Sequence, residues 1–219
     1  MPTQIYKLND GTIVPGTTTI IGASLGWGKQ RLIGWAYKRG KEGLPMREEV
    51  DKACEIGTLA HAMAEADVKG KPPPSTEASP EDIVKKAKAA YGSFLAWKEM
   101  SHLTLQGSEI PLVSERLRYG GTLDGIGTVF GRRALVDFKT SNHSYPDHVI
   151  QVAAYSWLYE EAHPGDILEG GAHILRFGKE LGNFVHYYIP RDAIIDKPMA
   201  AFRALRVLYD LQKPIESLI

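Results

Sequence analysis

Between residues 110 and 140 the chain carries three strand-like runs, 110–119, 121–130 and 132–140, broken only at Gly120-Gly121 and Gly131-Arg132. Connections this short join neighbouring antiparallel strands, so the runs predict a meander. A meander needs cover, and the flanking sequence supplies it. Residues 47–68 read as one helix. Three consecutive prolines, Pro72, Pro73 and Pro74, exclude both helix and central strand and predict a loop after it. A second helix follows, with Ser79 as N-cap, Pro80 at the first position, and Glu81 and Asp82 at the positive end of the dipole. Its Ile83, Ala87, Ala90, Phe94 and Trp97 recur at helical spacing. A further helix starts near Lys29. Beyond the meander come a helix over 147–162, strands over 172–177 and 183–189, and a closing helix over 191–212. The order predicts an α/β fold, a central mixed β-sheet flanked by helices. No repeat of 20 to 50 residues breaks it up, so residues 1–219 are expected to form a single domain.

With 43% hydrophobic and 24% charged residues, the chain falls outside the disordered and fibrous classes. Its apolar runs are far shorter than the roughly 20 residues that cross a bilayer. The first residues lack the basic and apolar regions of a secretory signal. The single cysteine, Cys54, can neither form an internal disulfide nor supply the ligands of an iron–sulfur cluster. It reads as a small buried apolar residue in a protein of the reducing cytoplasm. Twenty-six basic and twenty-six acidic residues cancel, which counts against nucleic-acid binding unless an acidic metal site offsets a local basic surface. Such a surface is legible near the N-terminus. Lys29, Arg31, Lys38, Arg39 and Lys41 are interleaved with Trp27, Trp35 and Tyr37. Cations can follow phosphates while rings stack on bases. An amphipathic helix with buried rings and solvated charges fits the same pattern equally well. Lys85, Lys86 and Lys88 read as an exposed helix face.

The stretch Ala134-Leu-Val-Asp-Phe-Lys-Thr140 carries the chemistry. Alternation puts Val136 and Phe138 on one face and Asp137 with Lys139 on the other. Alone, this is also what a surface ion pair on a half-exposed strand looks like. Asp124, thirteen residues earlier and set among glycines, adds a second carboxylate on the neighbouring arm. Two carboxylates brought together repel unless a cation intervenes, and hard oxygen ligands suit Mg²⁺ or Mn²⁺. Upstream, Gly57, His61 and Glu65 share one helical face, and downstream Gln151 and Tyr155 repeat the same spacing.

Taken together, these segments resemble the PD-(D/E)XK nuclease superfamily, and within it the RecB-like stand-alone exonucleases of phage or mitochondrial type. The helical G-T/S-x-x-H-x-x-x-E pattern matches Gly57, Thr58, His61 and Glu65. The G-x-x-D strand matches Gly121 to Asp124, D-x-K-T matches Asp137, Lys139 and Thr140, and Q-x-x-A-Y matches Gln151, Ala154 and Tyr155. The opening Val14-Pro-Gly-Thr-Thr-Thr-Ile20 is similar to the family's P-x-x-T-T segment. The resemblance implies a restriction-endonuclease-like core and a Mg²⁺- or Mn²⁺-dependent deoxyribonuclease, an exonuclease rather than an endonuclease, acting on single-stranded or frayed DNA ends. It assigns catalysis to Asp124, Asp137 and Lys139. Metal binding falls to His61, Asp124, Asp137 and the Phe138 carbonyl, and support to Glu65 and Glu115. DNA contacts fall to Thr140, Ser141, Gln151, Tyr155, Lys29 and Arg31. No G-x-x-x-x-G-K-[ST] loop occurs, so no ATP is expected. A recombination or single-strand-binding partner, and a host cytoplasm if the gene is phage-borne, fit this picture. A degenerate fold that binds DNA or protein without cutting is the rival reading, and a structure-specific endonuclease is another.

Overall fold

The computed structural model describes residues 4–26, 33, 34, 37, 40, 41, 46–141, 143–178 and 182–218, and of residues 46–54 the backbone. Most of the helix expected from Lys29 lies outside these residues, as do Lys29 and Arg31 themselves. Five strands form the main sheet: β3 (Thr104–Ser114), β4 (Tyr119–Val129), β5 (Arg132–Thr140), β6 (Ala172–Phe177) and β7 (Phe184–Ile189), hydrogen-bonded in that order. Every pair is antiparallel except β5 with β6. A parallel pair needs a crossover, and the helix α4 (Pro146–Ala162) provides it. The sheet is therefore mixed and flanked by helices, an α/β architecture consistent with a restriction-endonuclease-like fold.

Alternation along the strands feeds two cores. On one face Leu123, Leu135 and Ile174 pack with α1 (Thr17–Ser24), α4 and α6 (Lys197–Glu216), through Ile20, Leu158 and Phe202. On the other, Val136, Phe138, Leu175 and Phe177 meet α2 (Met46–Val68) and α3 (Glu81–Ser101), through Ala60, Ala64, Ala87 and Phe94. The alanines of α2 and α3 keep those helices close to the sheet. Among the described residues, no helix is long and apolar enough to cross a membrane.

The elements depart from the sequence reading in four places, the first being β3, which spans Thr104–Ser114 and not 110–119. The first hairpin turns at residues 115–118, with Arg118 left-handed at φ 53°, and not at Gly120-Gly121. Those glycines lie inside β4 because other groups occupy the space of a side chain. A Cβ on Gly120 would stand 2.2 Å from the Tyr6 ring, and one on Gly121 would stand 2.7 Å from Tyr155. The Tyr6 ring comes from a small hairpin, β1 (Tyr6–Lys7) with β2 (Ile13–Val14). Gly120 N–H donates to the Pro15 carbonyl at 3.0 Å, and Thr17 Oγ1 donates to the Gly120 carbonyl at 2.9 Å. The closing helix is broken into α5 (Arg191–Ile195) and α6 at Asp196, because Pro198 has no N–H to continue the α5 ladder and suits the first turn of a new helix. Pro80, not Ser79, caps α3, and no side chain caps that end.

Candidate active site

The site lies where β4 and β5 part. Their ladder ends at the Gly125–Val136 pair, so Asp124 and Phe138 lie just past the last rung. There the Asp124 Oδ2 accepts the Phe138 backbone N–H at 2.8 Å. A side chain has replaced a ladder partner, which fixes the Asp124 carboxylate at the mouth of the fork. Asp137 is the next residue along β5 and points to the α4 side, opposite Val136 and Phe138.

Asp137 is wholly buried, at 0% exposure, so the pair with Lys139 is not the surface ion pair of a half-exposed strand. Its Oδ2 lies 2.6 Å from Lys139 Nζ, and among the described residues no hydrogen-bond donor reaches Oδ1. Burial, with Asp124 adding to it, pushes the Asp137 carboxyl up to about 7 against the pull of Lys139. For Lys139 burial disfavours the charge, but Asp137 and Asp124 outweigh it and hold the ammonium above its ordinary value. Lys139 is thus a fixed cation here, a donor of charge and not an acceptor of a proton.

His61 approaches from the other face. Its ring stacks on Phe138 at 5.3 Å and on Phe177 at 6.3 Å. Burial lowers its pKa, with Asp124 and Glu65 opposing, so the imidazole is neutral at neutral pH and free to act as a ligand. One helical turn on, Glu65 is held by Lys69 at 2.5 Å, and Lys69 also reaches Glu109 at 3.0 Å.

Several sequence-predicted residues fall elsewhere. Tyr155 is a core residue, its hydroxyl accepting from Gln151 Nε2 at 2.8 Å and its pKa raised by burial. It holds Gln151 and presents no surface to a strand of DNA. Glu115 sits in the first hairpin turn, where its carboxylate accepts the Asn9 N–H at 2.8 Å. It faces the N-terminal hairpin from the turn that precedes β4, away from Asp124 at the middle of that strand, so it does not support this site. Thr140 is half-buried at the end of β5. Ser141 is folded into the following turn, its Oγ donating to the His143 carbonyl at 2.6 Å and its own carbonyl accepting from Arg176 at 2.7 Å.

Two residues escaped the sequence reading. Glu109 stands level with Asp124, between the Ser108–Gly125 and Ile110–Leu123 pairs, in a left-handed conformation at φ 52°. Its register depends on β3 starting at Thr104, which the 110–119 run did not reveal. His148, in the first turn of α4, accepts the Tyr145 N–H at 3.4 Å. Burial and the charge of Lys139 lower its pKa. No i, i+4 partner marked it in the sequence.

Among the described residues, no group of three or more His, Cys, Asp and Glu side chains is arranged to hold a metal ion. The donors at the fork nevertheless fit a hard divalent cation. Mg²⁺ characteristically takes one or two carboxylates and fills the rest of its octahedron with water and phosphate oxygens. Asp137 offers a buried oxygen with no donor, and Asp124 a second carboxylate beside it.

A family model described as the PD-(D/E)XK nuclease superfamily matches residues 34–206. No curated protein matches the chain. Among solved structures, a Eubacterium rectale protein provisionally described as an exonuclease shares 10% identity over 69% of this chain and 68% of its own, with a TM-score of 0.40. LHK-Exo, solved in complex with dAMP, shares 14% over 76% of this chain and 94% of its own, at 0.39. A protein named SSO0001 shares 15% over 71% and 75%, at 0.36.

Proposed function

From the premise that this chain belongs to the PD-(D/E)XK nuclease superfamily, we propose that it is a Mg²⁺- or Mn²⁺-dependent deoxyribonuclease that degrades DNA from single-stranded or frayed ends. The observation that carries this reading is Asp137: a carboxylate at 0% exposure, one oxygen 2.6 Å from Lys139 and the other without a donor, beside Asp124. A merely structural buried acid would have its oxygens satisfied.

Asp124, Asp137 and the Phe138 carbonyl would hold the cation, with neutral His61 in reach of the same fork. When bound, that cation neutralises the scissile phosphate and lowers the pKa of water. The rest is the work of the chain. Lys139, kept protonated by the two carboxylates, places a positive charge where negative charge develops on the phosphoryl oxygens. Gln151, oriented by the Tyr155 hydroxyl, offers an amide to the substrate backbone. The N-terminal basic cluster would carry the flanking strand by charge. Recombination, repair or replication of phage or bacterial DNA is the setting that such an activity serves.

The test compares end-labelled linear and circular single-stranded DNA with Mg²⁺, Mn²⁺ or EDTA, for the wild type and Lys139→Ala. Metal-dependent loss of the linear substrate alone, absent in Lys139→Ala, is expected. Loss of circles would make the enzyme an endonuclease. Binding without cleavage of either substrate would favour the non-catalytic scaffold.

A further inference from the structure

On the α2 side of the fork a second set of charges repeats the first in a different form. His61 and Glu65 share one face of α2, and Lys69 follows at the same four-residue spacing in the turn just past its end. Glu109 faces them from β3, level with Asp124. The Lys69 ammonium sits between the two glutamates, 2.5 Å from Glu65 Oε1 and 3.0 Å from Glu109 Oε2, with its side chain only 12% exposed. The register of Glu109 with Asp124 sets the two groups of charges on either side of one fork, and charges from both bear on His61.

The two lysines are held differently. Lys139 meets one carboxylate, and that carboxylate keeps a free oxygen for another cation. Lys69 meets two carboxylates from two separate elements, a helix and a strand, and an ammonium has three donors, so one remains to reach outward. Nucleases that use two divalent ions place the second a few ångströms from the first, clamping both sides of the displaced phosphate. Here a positive charge is already fixed on the α2 side of the same fork.

We propose that Lys69 is a tethered cation that takes the place of a second divalent ion, so that the site binds a single metal and Lys69 supplies the other positive charge. This inference rests on the nuclease reading above. Lys69 then locks Glu65 and Glu109 and keeps one donor for a phosphate oxygen. Lysine does this without depending on metal concentration, and arginine is its nearest substitute in charge.

The test counts Mn²⁺ ions bound to the full-length chain without DNA, by calorimetric titration and by the loss of the free-ion electron paramagnetic resonance signal. Wild type and Lys69→Arg are expected to bind a single ion. Lys69→Met, which leaves Glu65 and Glu109 without a counter-charge, is expected to bind a second, and Lys69→Met with Glu109→Gln to lose it again. Far-ultraviolet circular dichroism checks that each variant is folded; if Lys69→Met does not fold, Lys69→Gln takes its place. Two ions on the wild type, or a single ion on a folded Lys69→Met, would overturn the inference and leave the nuclease reading standing. No ion on the wild type would overturn that reading, and the inference with it.

Discussion

Two ionisable pairs are buried on neighbouring strands, and they are satisfied in opposite ways. Asp137 and Lys139 lie on the α4 side of β5. His173 on β6, whose partner on β5 is Val136, lies on the α3 side with His186 of β7. The histidines satisfy each other: Nδ1 of His173 is 2.8 Å from Nε2 of His186, and the rings stack at 5.1 Å with Trp97 4.7 Å from His186. Both are held neutral, chiefly by burial, and His173 is pushed down to about 4. Asp137 and Lys139 meet at 2.6 Å and leave the second carboxylate oxygen without a donor among the described residues. Burial of ionisable groups alone therefore does not mark a site; burial with an unmet valence does.

The largest expected effect sharpens this contrast. Lys139→Ala should reduce cleavage by roughly 10²–10³-fold, the scale for losing one group that stabilises transition-state charge. The fold should survive, because Asp137, already pushed up to about 7, can take a proton when its partner is gone. The double variant Asp137→Leu/Lys139→Met should be inactive and at least as stable as wild type in thermal unfolding, since an apolar pair of similar size often equals or improves on a buried ion pair. Marked destabilisation of the double variant would mean that the pair is structural.

The histidine pair makes the converse prediction. An unfolded histidine takes its proton near 6.5, the folded His173 only near 4. Protonation therefore favours the unfolded chain between those values. Stability should be intact above about pH 6.5 and fall as pH drops through that window, by ~1.4 kcal/mol per pH unit for this group. His173→Phe should flatten the curve and leave cleavage at neutral pH unchanged; urea melts at several pH values check it. An equally steep curve in the variant would assign the acid sensitivity to other groups.

Smaller effects test the scaffold behind each side. Gly121→Ala puts a methyl within 3 Å of Tyr155, Leu158 and Thr17. It should cost about 1–3 kcal/mol by overpacking, read as a lower melting temperature. Tyr155→Phe removes the acceptor for Gln151. About 0.5–1.5 kcal/mol of stability should go with it, and KM should rise more than kcat falls if Gln151 positions substrate. An unchanged KM would sever Gln151 from binding.

Much of this was legible in the sequence, for identifiable reasons. The strand 132–140, the crossover helix and the last two strands carry strong periodicity and short, unambiguous breaks. The face assignment of Asp137 and Lys139 followed from alternation alone. That both faces of β5 are covered did not, because alternation separates two faces without saying whether the second meets solvent or another helix. Gly120-Gly121 signals a turn and a close approach equally, and only the Tyr6 and Tyr155 rings decide between them. Glu109 was missed because its register depends on a strand start and its pairing with Lys69 on a helix–strand contact, both long-range. Tyr155 matched a motif whose spacing on a helix does not reveal which side is buried.

The most direct measurement is the cleavage of end-labelled single-stranded DNA with Mn²⁺ by folded Asp137→Asn, set beside its Mn²⁺ affinity. Asparagine keeps the size of the side chain and removes the anion. Loss of both cleavage and tight Mn²⁺ binding is the predicted result. Cleavage and affinity at wild-type levels would contradict the claim that the unmet Asp137 oxygen is the heart of the site.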